Sequence, residues 1–188
     1  MELTEKFEDA LSMAARLHGD QKRKGTDIPY LSHLMAVAAI VLENGGDENE
    51  AIAALLHDAV EDQGGAPVLV RIRERFGDDV ADIVASCSDT DVTPKPPWRE
   101  RKQAYIDTIA RKSPSARLVS LADKLHNIHT IDRDYRRHGE ALWKRFNAGK
   151  EEQLWYYRGL AKAFMARGDD PLARELDNAV RTLEKLCA

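Results

Sequence analysis

The chain has very little cysteine, since Cys87 and Cys187 are the only two in 188 residues. A disulfide-stapled secreted fold and a thiolate zinc site both need more cysteines at closer spacing, so we expect both thiols to be reduced. Long apolar runs are also absent: the longest, residues 34–42, is far shorter than the 20 or so residues of a membrane-spanning helix. The first residues are acidic and amphipathic, unlike a secretory signal. We therefore expect a cytoplasmic protein with no membrane partner.

An excess of positive charge is missing as well. The net charge of −4 argues against a dedicated surface for nucleic acid. Basic clusters at residues 21–25 and 98–102 are most simply solvated faces, although an anionic ligand would also suit them. The expected partner is therefore a small molecule.

Alternating β-branched runs, the mark of strands, are absent too. Apolar residues instead recur three or four positions apart, as in Phe7, Leu11 and Ala14. We predict an all-α, single-domain bundle of about eight helices. One of these helices should run from Asp47 to Gly64, and the proline-rich residues 89–97 should form a loop.

Four residues of the kinds that bind metal ions are spread along the chain: His33, His57, Asp58 and Asp123. Two imidazoles and two carboxylates suit Mn²⁺, Fe²⁺ or Zn²⁺. His57 and Asp58 follow an apolar Ala-Ala-Leu-Leu segment, and Asp123 lies in a similar setting, where an unpaired charge is costly. A bound metal would satisfy these groups, and so would buried Asp–His hydrogen bonds; spacing does not choose between the two.

A pair of acidic residues, Glu61 and Asp62, follows His57 and Asp58. In a continuous helix each lies about one turn, or roughly 6 Å, beyond its counterpart in the His57–Asp58 pair. That distance is too large for all four groups to bind one ion. The spacing therefore predicts that Glu61 and Asp62 position or activate water.

Three segments resemble the hydrolase half of RelA/SpoT enzymes: RKGTDIPYLSH at 23–33, LLHDAVED at 55–62 and LADKLHN at 121–127. Their order follows the H…HD…D signature of HD-domain phosphohydrolases. The resemblance is to the small alarmone hydrolases of bacteria and the metazoan SpoT-like hydrolases, over roughly residues 5–160. It implies an HD-type helical fold and one hydrolase domain over 1–188, with no synthetase or regulatory domain.

The resemblance also implies roles for individual residues. It implies four ligands for one Mn²⁺ ion: His33, His57, Asp58 and Asp123. It assigns the attacking water to Glu61 and Asp62. It implies that Arg23 and Lys24 bind the guanine or phosphate. It also implies that Asn127 and Thr130 line the ribose and phosphate pocket. Lys22 is a further candidate for binding guanine or phosphate.

The implied reaction is hydrolysis of the 3′-pyrophosphate of guanosine 3′,5′-bis(diphosphate) (ppGpp) or its pentaphosphate (pppGpp). The products are GDP or GTP and pyrophosphate. An alternative activity, which would use the same metal site and the same general base, is that of a related nucleotide phosphatase, such as a 2′-phosphatase acting on NADPH. Another is an alarmone-binding or antitoxin module without turnover, against which the intact Glu61 and Asp62 argue.

Overall fold

The computed structural model describes residues 2–88 and 96–188. Within them it contains ten α-helices and no β-strand, with one isolated bridge between Lys22 and Pro29. The all-α prediction is confirmed. Most of the predicted loop at 89–97 lies outside the described residues, and no described helix is long and apolar enough to cross a membrane.

The helices have the following bounds: α1 Glu5–Leu17, α2 Leu31–Glu43, α3 Glu48–Leu56, α4 Ala59–Gln63, α5 Ala66–Phe76, α6 Asp78–Cys87, α7 Trp98–Thr108, α8 Pro114–His138, α9 Lys150–Met165 and α10 Pro171–Cys187. Two 3₁₀ segments, Ile109–Arg111 and Gly139–Arg145, follow α7 and α8.

The helix predicted from Asp47 to Gly64 is not continuous, and that prediction was wrong. Its start is as expected, because Asp47 and Glu50 form a reciprocal capping box. However, α3 ends at Leu56 and α4 begins only at Ala59. Asp58 has φ −94° and ψ −3°, in the bridge region that many active-site residues occupy.

The break changes the setting of the second acidic pair. Glu61 and Asp62 belong to the first turn of α4, a new helix, and do not continue α3. α4 itself is short, because Gly64 has φ +135°, a conformation that side-chain-bearing residues rarely adopt. The acidic pair is therefore held in a compact turn between His57–Asp58 and this glycine.

Described residues cluster into two compact units. The first comprises those within Met1–Lys95 together with Lys112–Ala122, and the second comprises Pro96–Arg111 with Asp123–Ala188. The chain passes from the first unit to the second within α8. The single-domain organisation over 1–188 stays a prediction.

Helix α3 lies at the centre of the first unit. Every residue from Ala51 to Leu56 is at most 1% exposed, so α3 is apolar on all sides beyond its first turn. Burying one Leu or Ile side chain contributes about 1.5–3 kcal/mol, and three such residues, Ile52, Leu55 and Leu56, stand just before the break. The core therefore fixes the position of His57 and Asp58.

The second unit has its own apolar core. Phe164 and Leu160 of α9 and Leu176 of α10 are fully buried. Trp143 is 7% exposed and lies in the 3₁₀ segment Gly139–Arg145.

Candidate metal centre and active site

Three of the four predicted metal ligands lie together in the first unit. His33 is in the first turn of α2, whereas His57 and Asp58 form the break between α3 and α4. Both imidazoles are buried, at 0% and 2% exposed, and the Asp58 side chain is 21% exposed. One ligand atom from each residue lies within 4.8 Å of the other two.

The tautomer of His57 is fixed by the backbone. Its Nδ1 lies 2.8 Å from the carbonyl oxygen of Ala54, and since a carbonyl only accepts, Nδ1 carries the proton. In the neutral ring Nε2 then presents a lone pair, 2.9 Å from Asp58 Oδ2. Two acceptors at this distance need a proton or a cation between them. Metal-binding histidines are commonly oriented in this way.

The donor spacing fits a divalent ion. Two ligand atoms that are each bonded to one metal ion at about 2.1 Å lie about 3.0 Å apart when the angle at the metal is 90°. At an angle of 120° they lie about 3.6 Å apart. Asp58 Oδ2 lies 2.9 Å from His57 Nε2 and 3.6 Å from His33 Nε2. Mixed imidazole and carboxylate donors are what Mn²⁺, Fe²⁺ and Zn²⁺ accept. The cluster therefore has both the chemistry and the spacing of a metal site.

Tyr30 contributes to this cluster, although the sequence analysis gave it no role. Its hydroxyl donates a 2.6 Å hydrogen bond to Asp58 Oδ2. Its ring packs edge-on to His33, with centroids 5.5 Å apart, and the Arg23 guanidinium lies 5.6 Å from the ring centroid. Tyr30 lies inside the 23–33 segment that carries the family resemblance, so a signal was present.

The acidic pair differs in surroundings between its two members. Glu61 is half-buried, whereas Asp62 is more exposed and its Oδ2 accepts a 2.8 Å hydrogen bond from Gln21 Nε2. Partial desolvation raises the pKa of the Asp62 carboxyl above its usual value, and the negative charge of Asp58 adds to this. A carboxylate with a raised pKa is a stronger base, which suits proton abstraction from water.

Behind Asp62 lies a set of hydrogen bonds that the sequence analysis missed. Gln21 Oε1 is 2.6 Å from His18 Nδ1 and accepts a 2.5 Å bond from Gln63 Nε2. His18 is 2% exposed and stacks on Tyr30, with centroids 5.3 Å apart and planes 16° apart. The two acidic sites, Asp58 and Asp62, are thus each contacted by a residue that touches His18.

The basic residues predicted to bind substrate lie in the turn before α2. Arg23 donates its backbone N–H to Ile28 and places its guanidinium over Tyr30. Lys24 is exposed. Lys22 forms a 2.7 Å ion pair with Asp27, and both side chains are largely exposed.

The remaining predicted residues belong to the second unit. Asp123 is 5% exposed and accepts 2.5 Å hydrogen bonds from Lys124 Nζ and Asn127 Nδ2. Burial opposes the charge on Lys124, but Asp123, Tyr105 and Tyr156 outweigh it and hold the Lys124 pKa well above its usual value. Thr130 donates to the carbonyl of His126 one turn earlier. Lys124 was not among the predicted residues.

A family model described as "HD domain" matches residues 10–153. The match covers the cluster of His33, His57 and Asp58, the acidic pair and Asp123. The chain belongs to the HD-domain family.

Two relatives and one solved structure that resemble this chain are named for hydrolysis of ppGpp. Guanosine-3′,5′-bis(diphosphate) 3′-pyrophosphohydrolase MESH1 of Xenopus tropicalis is 38% identical over 128 residues, 66% of this chain and 69% of that protein. The Homo sapiens protein of the same name is 37% identical over the same extent. A solved structure of a metazoan ortholog of SpoT that hydrolyzes ppGpp superposes with a TM-score of 0.78 at 29% identity, covering 97% of this chain and 98% of the other. The predicted membership of the small alarmone hydrolases is confirmed.

Proposed function

We propose that this chain hydrolyses the 3′-pyrophosphate of ppGpp and pppGpp in a Mn²⁺-dependent reaction. The observation that carries the proposal is the 2.9 Å approach of His57 Nε2 to Asp58 Oδ2, with the His57 tautomer set for metal binding. It occurs in a chain related to proteins named for this hydrolysis.

Four residues would hold the ion: His33, His57, Asp58 and Asp123. The spacing of the first three supports this assignment, and Asp123 is proposed from its place in the family signature. When bound, the ion supplies Lewis-acid stabilisation of the phosphoryl oxygens and lowers the pKa of water. Mn²⁺ is proposed among the ions that accept imidazole and carboxylate together.

Glu61 and Asp62 act on the attacking water. As the water oxygen bonds to the phosphorus on the 3′ oxygen, a carboxylate of the pair accepts one water proton. The bond between that phosphorus and the 3′ oxygen breaks, and the 3′ oxygen takes up a proton. Atoms balance as one water consumed and one pyrophosphate released, with GDP or GTP left behind. General base catalysis of this kind typically contributes 10²- to 10⁴-fold, as an order of magnitude.

Substrate recognition is assigned to two groups of side chains. Arg23 and Lys24 bind the guanine and the phosphates, and Arg23 offers a planar guanidinium that both stacks and pairs with phosphate. Asn127 and Thr130 are proposed to contact the ribose and phosphate. Asn127 donates to Asp123 through its side-chain amide, one turn away on the same helix.

The experiment is turnover of ppGpp by protein stripped with EDTA and reloaded with Mn²⁺, Zn²⁺ or Mg²⁺, followed by anion-exchange chromatography. GDP and pyrophosphate in equal amounts with Mn²⁺ support the proposal. Intact ppGpp with every metal contradicts it. NADPH is run in parallel, and release of inorganic phosphate from NADPH alone would favour the 2′-phosphatase. Binding of ppGpp without turnover in any metal would favour the non-catalytic module.

A further inference from the structure

Gln21 connects the proposed general base to a buried histidine. Its Nε2 donates to Asp62 Oδ2 at 2.8 Å, and its Oε1 faces His18 Nδ1 at 2.6 Å. His18 is 2% exposed, although histidine is otherwise a residue of intermediate burial. What this connection does for catalysis depends on the function proposed above.

The Gln21 amide can take only one orientation here. Its Oε1 accepts from Gln63 Nε2 at 2.5 Å, and since Oε1 is an acceptor, His18 Nδ1 must be the donor in the 2.6 Å contact. A flipped amide would place its oxygen against the Asp62 carboxylate, which only accepts hydrogen bonds when it is ionised. His18 and Gln63 therefore hold the Gln21 donor towards Asp62.

The backbone strengthens the same arrangement. Gln21 donates its N–H to the His18 carbonyl at 3.0 Å and accepts from the Tyr30 N–H at 2.8 Å. The His18 ring stacks on Tyr30, whose hydroxyl donates to Asp58. His18 thus contacts both the residue that holds Asp62 and the residue that holds Asp58.

Packing alone does not account for a histidine at this position. His18 Nε2 is buried and has no hydrogen-bond partner among the described residues. An unsatisfied buried nitrogen destabilises the folded state, and leucine or phenylalanine would avoid this cost. The other nitrogen, Nδ1, lies 2.6 Å from Gln21 Oε1 and 3.4 Å from Gln63 Nε2, and of these two atoms only the Gln21 oxygen can accept its proton. The histidine is therefore explained by its bond to Gln21.

We infer that His18 and Gln21 are positioning residues for hydrolysis: His18 fixes the Gln21 amide, and Gln21 fixes the carboxylate of Asp62 for proton abstraction. With Oδ2 held by Gln21, Oδ1 is the oxygen left to face the water. Neither residue touches substrate or metal in this role. Their effect should fall on kcat, because orientation of the base matters in the transition state and not in substrate binding.

Two His18 variants separate the hydrogen bond from the ring stacking. His18→Phe keeps an aromatic ring against Tyr30 and removes the Nδ1 donor. His18→Asn places an amide N–H near the position of Nδ1 and loses the ring. We expect His18→Phe to lower kcat about tenfold, the size of one hydrogen bond's free energy, with KM and the Mn²⁺ dissociation constant within twofold of wild type. Relative to wild type, the fall in log kcat should be at most half as large in His18→Asn as in His18→Phe.

A double-mutant cycle with Gln21→Leu tests the order of action. If His18 acts through Gln21, adding His18→Phe to Gln21→Leu lowers kcat by less than twofold. A full additive loss in the double variant would overturn the inference, and so would an unchanged kcat in His18→Phe. A fall in kcat that is matched by an equal fall in Mn²⁺ affinity would also overturn the inference. Melting temperatures of all variants are measured, and His18→Asn carries the test if His18→Phe does not fold.

A readout that needs no turnover keeps this inference separate from the proposed function. The Gln21 side-chain amide gives ¹H–¹⁵N signals, assigned by their loss in Gln21→Leu. In wild type these protons should exchange slowly with solvent, and in His18→Phe their exchange should quicken at least tenfold. Unchanged exchange overturns the positioning role. Wild-type protein with slow exchange but no ppGpp hydrolysis would contradict the proposed function alone.

Discussion

The Tyr30 hydroxyl donates to the same oxygen of Asp58 that lies 2.9 Å from His57 Nε2. This bond fixes the direction of the carboxylate without using the lone pair that a metal needs, because an ionised oxygen can accept more than one partner. Interactions of this kind outside the ligand set are typically worth 10- to 100-fold in metal affinity or activity, as an order of magnitude.

Tyr30→Phe should therefore weaken Mn²⁺ binding about tenfold while the chain remains folded. The phenylalanine ring preserves the packing against His18 and His33, so the hydroxyl alone is tested. Affinity is measured by titration calorimetry of EDTA-stripped protein. Tyr135→Phe removes a similar hydroxyl–carboxylate bond, to Glu140, and should leave Mn²⁺ affinity unchanged. Equal affinity in both variants would contradict the prediction.

Asp58→Asn should abolish both metal retention and turnover. The amide is a much poorer ligand for Mn²⁺ than a carboxylate, and it removes the charge that balances a cation. We expect a fall in bound Mn²⁺ from one per chain to below about a tenth, and a fall in kcat/KM of at least about 10³-fold. The exposed Asp79→Asn is the matched control and should retain both. Metal content is read by atomic emission and helicity by circular dichroism.

Mn²⁺ should raise the melting temperature of the wild type. A ligand that binds only the folded state stabilises it by RT ln(1 + [L]/Kd), or about 2.7 kcal/mol at one hundred times Kd. That corresponds to a shift of roughly 5–10 °C for a chain of this size. The same addition to Asp58→Asn should change the midpoint by less than about 1 °C. An equal shift in both proteins would place the stabilising ion elsewhere.

Asp62→Asn should stabilise the metal-free protein at neutral pH. The folded state raises the pKa of Asp62 above its usual 3.8, so the ionised carboxylate destabilises the fold at pH values above that raised pKa. As pH falls through the folded pKa the penalty fades, and below pH 3.8 the two proteins should be equally stable. Unfolding in urea with EDTA, at pH 7 and at intervals down to just below pH 3.8, measures the difference. A difference in the free energy of unfolding that grows as the pH falls would contradict the prediction.

Arg23→Lys should raise the KM for ppGpp about three- to tenfold with kcat nearly unchanged. Lysine keeps the charge but loses the planar guanidinium, so binding is lost equally from the ground and transition states. Lys22→Ala is the comparison, and we expect less than a twofold effect because its ammonium pairs with Asp27 at an exposed position. Initial-rate kinetics with Mn²⁺ distinguish the two. A larger effect of Lys22→Ala would make it the substrate-binding residue.

Helix periodicity was sufficient to predict the fold class. Phe7, Leu11 and Ala14, whose spacing indicated a helix, all lie in α1. Periodicity failed at His57 and Asp58, because an apolar stretch followed by acidic residues reads as one amphipathic helix. The break depends on tertiary contacts of these two side chains, which no local pattern records.

The ligand cluster was predictable because its residue types are few and their spacing resembles a known family. Its supporting residues were not. A tyrosine hydroxyl bonded to Asp58, or a glutamine between His18 and Asp62, has no local signature, because the partners are 28 and 41 residues apart for Tyr30–Asp58 and Gln21–Asp62. Such contacts exist only once the chain is folded.

The two-residue break between α3 and α4 has a consequence for protein engineering. Adjacent residues of a regular helix point about 100° apart, yet His57 and Asp58 turn towards one position. A redesign that replaced Leu55–Gln63 with one ideal helix would add backbone hydrogen bonds and thermal stability. It would also aim the two side chains in different directions. In this segment, gains in regularity and retention of the site oppose each other.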